Sequence, residues 1–451
     1  MIAMVTGIPL LIIIAASIVL VVIASSRFKV HPFLSLMFAA LLAGLAAGIP
    51  SDQIIPIMTK GFGDMAGAIG LIITFGTLIG VLLEESGAAQ SIAQVFLRRL
   101  GHKHITFSMS LIGALVGIPV FCDSGFIMLQ APGKNLARQS GKNPASIAIA
   151  TATGLYATHV LVPPTPGPLA AAGNIGAEQY LGMVILVGLI TSIPAILAGY
   201  VWAKKISKEI IVDQDLSAMP ADYDIKELPA FWKSVIPILL PLLLIILGTF
   251  VKMAGWNGLS YDILVFITHP VSALGIGIIS AMILLLKNEK IKSGKWMEKA
   301  IMQAGPILLI TSAGGAFGAV LKSLPINAFF NQALLGQQEK GIWLLPVIFS
   351  LAAIIKTSQG SSTASLIIVS SLLAPLLPAL NITGALPLSL IVSAIGAGAM
   401  VVSHTNDSYF WVISRFGGLS LQQTLKGFTL ASLWMGISSL LLTIILWWCF
   451  V

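Results

Sequence analysis

The sequence predicts an all-α polytopic membrane protein made of two inverted-topology repeats, each with about five full spans plus a re-entrant hairpin and a broken helix. Three observations carry this reading. Of 451 residues, 57% are hydrophobic and 9% charged, which leaves too little polar surface to coat a soluble globule. Apolar runs of helical length recur from end to end, without the roughly ten-residue alternation that outer-membrane strands need. Landmarks of the first half return in the second, in the same order, at an offset of roughly 240 residues.

The first half reads as spans over 8–24 and 33–49, an amphipathic stretch over 52–63, a span over 66–83, and a second amphipathic stretch over 88–100. Run 8–24 lacks a basic segment before it and a small-residue cleavage site after it, so a retained span is expected. The next apolar segment is interrupted at Gly117-Ile118-Pro119-Val120-Phe121-Cys122-Asp123-Ser124-Gly125 and ends at the basic loop 134–142. A span over 145–160 breaks at Val162-Pro163-Pro164-Thr165-Pro166-Gly167-Pro168, where four prolines remove amide donors and exclude regular helix. A span over 181–202 closes the half. The chain thus divides into a first transmembrane repeat over 1–203, a polar cytoplasmic linker over 204–233 and a second, inverted repeat over 234–451.

Four matches carry the repeat. His31-Pro32 returns as His269-Pro270, and Leu71-Ile72-Ile73-Thr74 as Leu308-Leu309-Ile310-Thr311. The segment around Asp123 corresponds to Lys356-Thr357-Ser358-Gln359-Gly360-Ser361-Ser362-Thr363, and Thr158-His159 to Ser403-His404. If the break around Asp123 tips a re-entrant hairpin, each half crosses five times, an odd number, and the second half starts on the opposite side. With the N-terminus outside, 20 of the 25 Lys and Arg fall on the cytoplasmic side, as the positive-inside rule requires. Lys60, Lys252, Lys322 and Lys340 fall outside, and Lys356 lies within the membrane.

Composition also excludes some functions. Cys122 and Cys449 are far apart in apolar surroundings, so they offer neither a disulfide framework nor a metal cluster and are expected to pack. The net charge of +8 is scattered over short loops, where it sets orientation instead of marking a nucleic-acid surface.

Chemistry concentrates in the interrupted elements. Ser403-His404-Thr405-Asn406-Asp407-Ser408 places six hydrogen-bonding residues between two apolar runs. An ionisable group at membrane depth costs roughly 2.5–3.5 kcal/mol on insertion scales, so Asp407 marks a functional site. Unwound backbone there is tolerated only where protein, water or ligand satisfies it, and half-helix N-termini suit an anion. The segment 357–363 supplies hydroxyls, an amide and a glycine fitted to a polyhydroxylated carboxylate, although any single hydroxyl can instead back-bond to its own helix. Lys356, inside an apolar run, is expected to pair with Asp123, Asp407 or the substrate carboxylate. Asp123 and Asp407 are the candidates for loading and releasing a proton, with a helix cap or permanent ion pair as the competing role. Substrate contacts are expected from Ser124, Gly125, Thr158, His159, Thr165, Lys356, Thr357, Ser358, Gln359, Gly360, Ser361, Ser362, His404, Thr405 and Asn406. Glu84 and Glu85, at the end of a span, are expected to face the interface, and Asp52, Asp64 and the acidic linker are expected to be solvated, without a role.

These motifs, with 117–126, 158–168 and 403–411 the most distinctive, resemble the gluconate-proton symporter family of bacterial inner-membrane permeases within the ion transporter superfamily, over essentially the whole chain. The resemblance implies proton-driven uptake of gluconate or a related sugar acid by an elevator-like movement. Similar members carry other small hydroxylated or amino-bearing carboxylates, including D-serine, and the same oxygens could coordinate sodium as coupling ion. No cofactor is expected beyond the coupling ion, and the partners are the substrate and the lipid bilayer, with a homo-oligomer left open. The rivals are a membrane-embedded hydrolase using His and Asp, for which the sequence shows no nucleophile motif, and a passive anion channel.

Overall fold

The computed structural model describes residues 5–100, 104–140, 142–206, 228–253, 258–285, 294–325 and 341–451, which are helical with no strand. Most of the linker, 207–227, and Lys103, Lys287, Lys290, Lys292 and Lys340 of the charge assignment lie outside the described residues. The first half comprises α1 (Ile8–Ser26), α2 (Pro32–Ala46), α3 (Ser51–Glu85), α4 (Ala88–Leu100), α5 (Ile105–Gly117), α6 (Cys122–Ser140), α7 (Pro144–Leu161), α8 (Pro166–Asn174) and α9 (Leu181–Ile206). The second comprises α10 (Phe231–Met253), α11 (Leu259–Thr268), α12 (Pro270–Leu285), α13 (Lys295–Lys322), α14 (Gly341–Gln359), α15 (Ser362–Leu373), α16 (Ala385–Ala399), α17 (Ser408–Gly417) and α18 (Leu430–Phe450).

Shared local chemistry explains the recurring His-Pro landmark. His31 Nδ1 accepts from the Phe33 amide at 3.3 Å and so caps α2, while His269 Nδ1 accepts from the Val271 amide at 3.3 Å at the start of α12. In each case the proline takes the first helical position, where its missing amide costs nothing.

Eight described helical runs are long and apolar enough to cross a membrane, or nine when α11 and α12, bent by 64° at Thr268–His269, count as one span. The fifteen residues of α2 rise only about 22 Å, short of a hydrocarbon core of about 30 Å. Gly48, at φ +82°, turns the chain out of α2 towards Pro50 and α3. The two segments read over 52–63 and 66–83 form one 35-residue helix, α3. Gly61 and Gly63 keep helical geometry there, and Lys60 pairs with Asp64 at 2.6 Å one turn on.

The long helices α3 and α13 cross tightly. A Cβ on Gly61 would lie 2.6 Å from the Gly315 carbonyl and one on Gly315 2.6 Å from the Gly61 carbonyl, so the backbones meet where only glycine fits. One end of the crossing is tied by Lys299 on α13, whose Nζ lies 2.8 Å from Glu84 Oε1 and 2.6 Å from Glu85 Oε1 on α3. These glutamates therefore join the halves, a role their position at a span end did not reveal.

Around this crossing, α7 and α8 are buried along their length, enclosed by α5, α6, α9 and α15. Helices α1, α9, α10 and α18 carry exposed rows such as Leu239, Leu243, Leu247 and Phe250. Spaced to share one helix face, these rows form a lipid-facing belt. Two helix pairs, α5–α6 and α14–α15, turn through 118–121 and Gly360–Ser361, and two helices are interrupted, α7–α8 at 162–165 and α16–α17 at 400–407.

Candidate functional site

The site forms where both helix-pair turns meet both interruptions. The α14–α15 turn is shorter than the sequence suggested, because residues 356–359 remain helical as the last turn of α14. Ser358 Oγ donates to the Ile354 carbonyl at 2.7 Å and supports that turn. Gly360, at φ +79°, ends it, and a Cβ there would collide with the Asn406 carbonyl. The turn and the α16–α17 interruption thus touch backbone to backbone.

Lys356 and Asp407 sit at that contact. Their charges are 2.5 Å apart, Nζ to Oδ2, and the residues are 0% and 5% exposed. Asp407 has two further donors: Ser403 Oγ also donates to Oδ2, and Oδ1 accepts from the Tyr409 amide at 3.0 Å, which caps α17. Lys356 Nζ reaches the Gly360 carbonyl at 3.4 Å as its second partner. The Thr357 carbonyl accepts from Asn406 Nδ2 at 2.6 Å and lies 3.0 Å from His404 Nε2, which carries the proton in this contact. His404 Nδ1 lies 3.5 Å from Thr405 Oγ1.

Asp123 lies in the first turn of α6, not in the 118–121 turn, and its Oδ2 accepts from Ser408 Oγ at 3.2 Å. The first-half acid therefore meets the second-half interruption, and the tip of the other helix pair meets the same interruption from another side. Ser124 is half-buried and Gly125 buried beside it. His159 is 7% exposed, its ring centroid 5.7 Å from that of Phe121, and its Nδ1 has no hydrogen-bond partner among the described residues.

The geometry strings four helix N-termini together. At the start of α8, a Cβ on Gly167 would lie 3.5 Å from Thr363 Cα at the start of α15. The α15 start is joined through Gly360 and Asn406 to the start of α17, and Ser408 joins that to the start of α6. Helix N-termini carry positive partial charge, so this string is an environment for anionic groups. Gln359 Nε2 and Asn406 Oδ1 are buried here with no partner among the described residues. Together with His159 Nδ1 they form a set of unmet donors and acceptors.

Other expected contacts are spent locally. Thr158 Oγ1 donates to the Ala114 carbonyl on α5 at 2.7 Å and Thr165 Oγ1 to the Val162 carbonyl at 2.6 Å. Ser361 Oγ accepts from the Ala364 amide at 3.2 Å and caps α15. Sequence reasoning missed two aromatics. Tyr156 OH lies 2.7 Å from Ser362 Oγ, and Tyr409 OH donates to the Ala152 carbonyl at 3.0 Å. Their rings, 5.5 Å apart, lock α7 to α17 behind the ion pair, and Phe428 packs edge-on against both. Cys122 is buried and Cys449 exposed, and the described residues hold no metal-ligating cluster of His, Cys, Asp and Glu.

The fold is similar to that of the Alcanivorax borkumensis YdaH transporter, whose crystal structure was described as revealing an unusual topology. The TM-score is 0.66 at 14% identity, covering 93% of this chain and 99% of that one. By sequence, the chain is 33% identical to a gluconate permease of Pseudomonas aeruginosa over 432 residues, 90% of this chain and 91% of that one. It is 31% identical to a low-affinity gluconate transporter of Escherichia coli K12 over 427 residues, 93% of this chain and 94% of that one. An L-idonate transporter of the same bacterium is 28% identical over 445 residues, 96% of this chain and 97% of that one. The family described as GntP family permease matches residues 8–449. With apolar spans along its length and that match from end to end, the chain belongs to the GntP permease family and is an integral membrane transporter, not an enzyme.

Proposed function

We propose that the protein is a proton-coupled symporter that takes up gluconate or a related sugar acid across the bacterial inner membrane. The observation that carries this reading is the buried Lys356–Asp407 pair, set among helix N-termini and unmet polar atoms. A buried ion pair is stabilised only while both charges are matched. Protonation of Asp407 would release the Lys356 ammonium, and the substrate carboxylate would take the vacated place. Proton and anion would then enter the site together or not at all, which is the charge balance a symporter needs. Asp123, bonded to Ser408 at the same interruption, is the second candidate proton carrier. His159 Nδ1, Gln359 Nε2 and Asn406 Oδ1 would meet substrate hydroxyls. The gluconate and L-idonate transporters among the relatives make sugar acids the substrate class to test first.

In the proposed orientation the N-terminus is periplasmic and the linker cytoplasmic. The halves form inverted repeats, and the two helix pairs and interrupted helices move as an elevator against a scaffold that includes the α3–α13 crossing. Uptake into proteoliposomes, across a panel of sugar acids, hydroxy acids and D-amino acids with imposed proton or sodium gradients, tests the proposal. Uphill sugar-acid uptake that collapses with a protonophore is expected. Accumulation driven by sodium alone, or flux that only runs downhill, would overturn the coupling, and an absence of sugar-acid flux would overturn the substrate.

A further inference from the structure

The start of α18 reaches back to the α16–α17 interruption. One turn of π-helix over Leu425–Thr429 leads into α18 without a break. Successive residues of an α-helix diverge by about 100° around the axis, and the wider i→i+5 turn narrows that angle. Such turns inside α-helices are frequent at functional sites. Trp202 Nε1 on α9 anchors this one by donating to the Lys426 carbonyl at 3.0 Å. From it, Phe428 packs edge-on against Tyr156 and Tyr409 while its neighbour Thr429 reaches the interruption.

The residue Thr429 reaches is Ser403. Residues 403 and 404 lie outside any helix, so the buried amide and carbonyl of Ser403 need partners from elsewhere. Thr429 Oγ1 donates to the Ser403 carbonyl at 2.5 Å, and the Ser403 amide donates to Ser432 Oγ at 3.1 Å. Ser432 Oγ in turn spends its own hydrogen on the Thr429 carbonyl at 2.8 Å, which leaves its lone pairs for Ser403. Ser403 and Ser432 are 0% exposed and Thr429 is 8% exposed. Val402, just before the clamp, is held at φ +53°, a left-handed conformation that a β-branched residue adopts only where its surroundings impose it.

The clamped residue also touches the ion pair. Ser403 Oγ donates to Asp407 Oδ2, the oxygen that faces Lys356 Nζ. We propose that Thr429 and Ser432 are positioning residues of the transport site: from the π-turn they hold the Ser403 backbone, and through it the Ser403 hydroxyl on Asp407, so that the carboxylate stays the partner of Lys356 until a proton displaces that ammonium. The inference rests on Asp407 as the proton carrier of sugar-acid uptake. Packing alone would need neither hydroxyl, since valine and alanine fill the same space.

Proteoliposomes holding the full chain test the clamp. Thr429→Val keeps the shape and removes the donor, and Ser432→Ala removes the acceptor. Each is expected to lower proton-driven gluconate accumulation at least fivefold while counterflow exchange changes less than twofold, and Thr429→Ser should restore accumulation. Ser403→Ala should give the same loss, and adding either clamp substitution to it should cost less than a further twofold, because the clamp acts through the Ser403 hydroxyl. Thr424→Val, which loses only a bond to the Ser420 carbonyl one turn back, is the control and should transport within twofold of wild type. Ser432→Ala carries the comparison if Thr429→Val does not fold. Accumulation unchanged in the clamp variants, on a wild type that transports gluconate, would overturn the clamp and leave the function standing. Losses that multiply in the Ser403→Ala background, or an equal loss in Thr424→Val, would also overturn it by assigning the effect to helix packing. A wild type that moves no sugar acid would overturn the function, and the clamp's part in it.

Discussion

Lys356 Nζ and Asp407 Oδ2 are 2.5 Å apart and enclosed, joining the last turn of α14 to the residue that caps α17. Removing one member strands the other charge, which costs about 3–5 kcal/mol for buried pairs. Lys356→Ala and Asp407→Asn are each expected to lower thermal stability strongly, whereas Lys356→Met with Asp407→Asn loses less than the sum. A double-mutant cycle on the purified protein, read by thermal unfolding, measures the difference. A coupling energy below about 0.5 kcal/mol would show that the pair is not a unit.

Coupling separates Asp407 from a purely structural cap. Asp407→Asn keeps an oxygen for the Tyr409 amide but removes the group that could carry a proton, so it is expected to abolish uphill accumulation while sparing exchange of labelled for unlabelled substrate. Counterflow and gradient-driven uptake in the same vesicles distinguish the two. Undiminished uphill uptake would remove Asp407 as the essential carrier and leave Asp123.

His159 Nδ1 is buried with no partner among the described residues, and its ring packs near Phe121. His159→Phe keeps an aromatic ring and removes both nitrogens, so the fold should hold while KM for the sugar acid rises about tenfold, the value of one hydrogen bond of about 1.4 kcal/mol. Substrate-dependent thermal stabilisation should weaken in parallel. Unchanged KM would return His159 to packing.

How far the sequence revealed this site depended on the range of each interaction. The Asp407 segment stood out because six polar residues in an apolar context are locally conspicuous, and the breaks at 162–165 and 400–407 follow from prolines and polar runs in place. Residues 356–359 read as loop from their hydroxyls, yet those hydroxyls can bond to their own helix, as Ser358 does, and the helix continues to Gly360. Tyr156 and Tyr409 were invisible because an aromatic in an apolar helix reads as packing until its hydroxyl partner is known, and that partner lies 206 or 257 residues away. Lys299 with Glu84 and Glu85 was hidden in the same way. The Ser408–Asp123 bond crosses the halves, and no local pattern signals it.

Gly360 tests whether backbone contact between the α14–α15 turn and the α16–α17 interruption sets the ion-pair geometry. At φ +79°, any L side chain there costs about 1–2 kcal/mol, and a Cβ would also strike the Asn406 carbonyl. Gly360→Ala must therefore push the turn away from Asn406, moving the Lys356 ammonium off Asp407 and the Thr357 carbonyl off Asn406. Transport should fall at least tenfold even where purified protein stays monodisperse and its unfolding midpoint drops only a few degrees. Gly318→Ala is the matched control, since a Cβ there would find no atom nearer than the Ser371 carbonyl at 4.0 Å. Equal effects of the two substitutions on transport would mean that the loss reflects general helix tolerance and that the turn-to-interruption contact does not set the site.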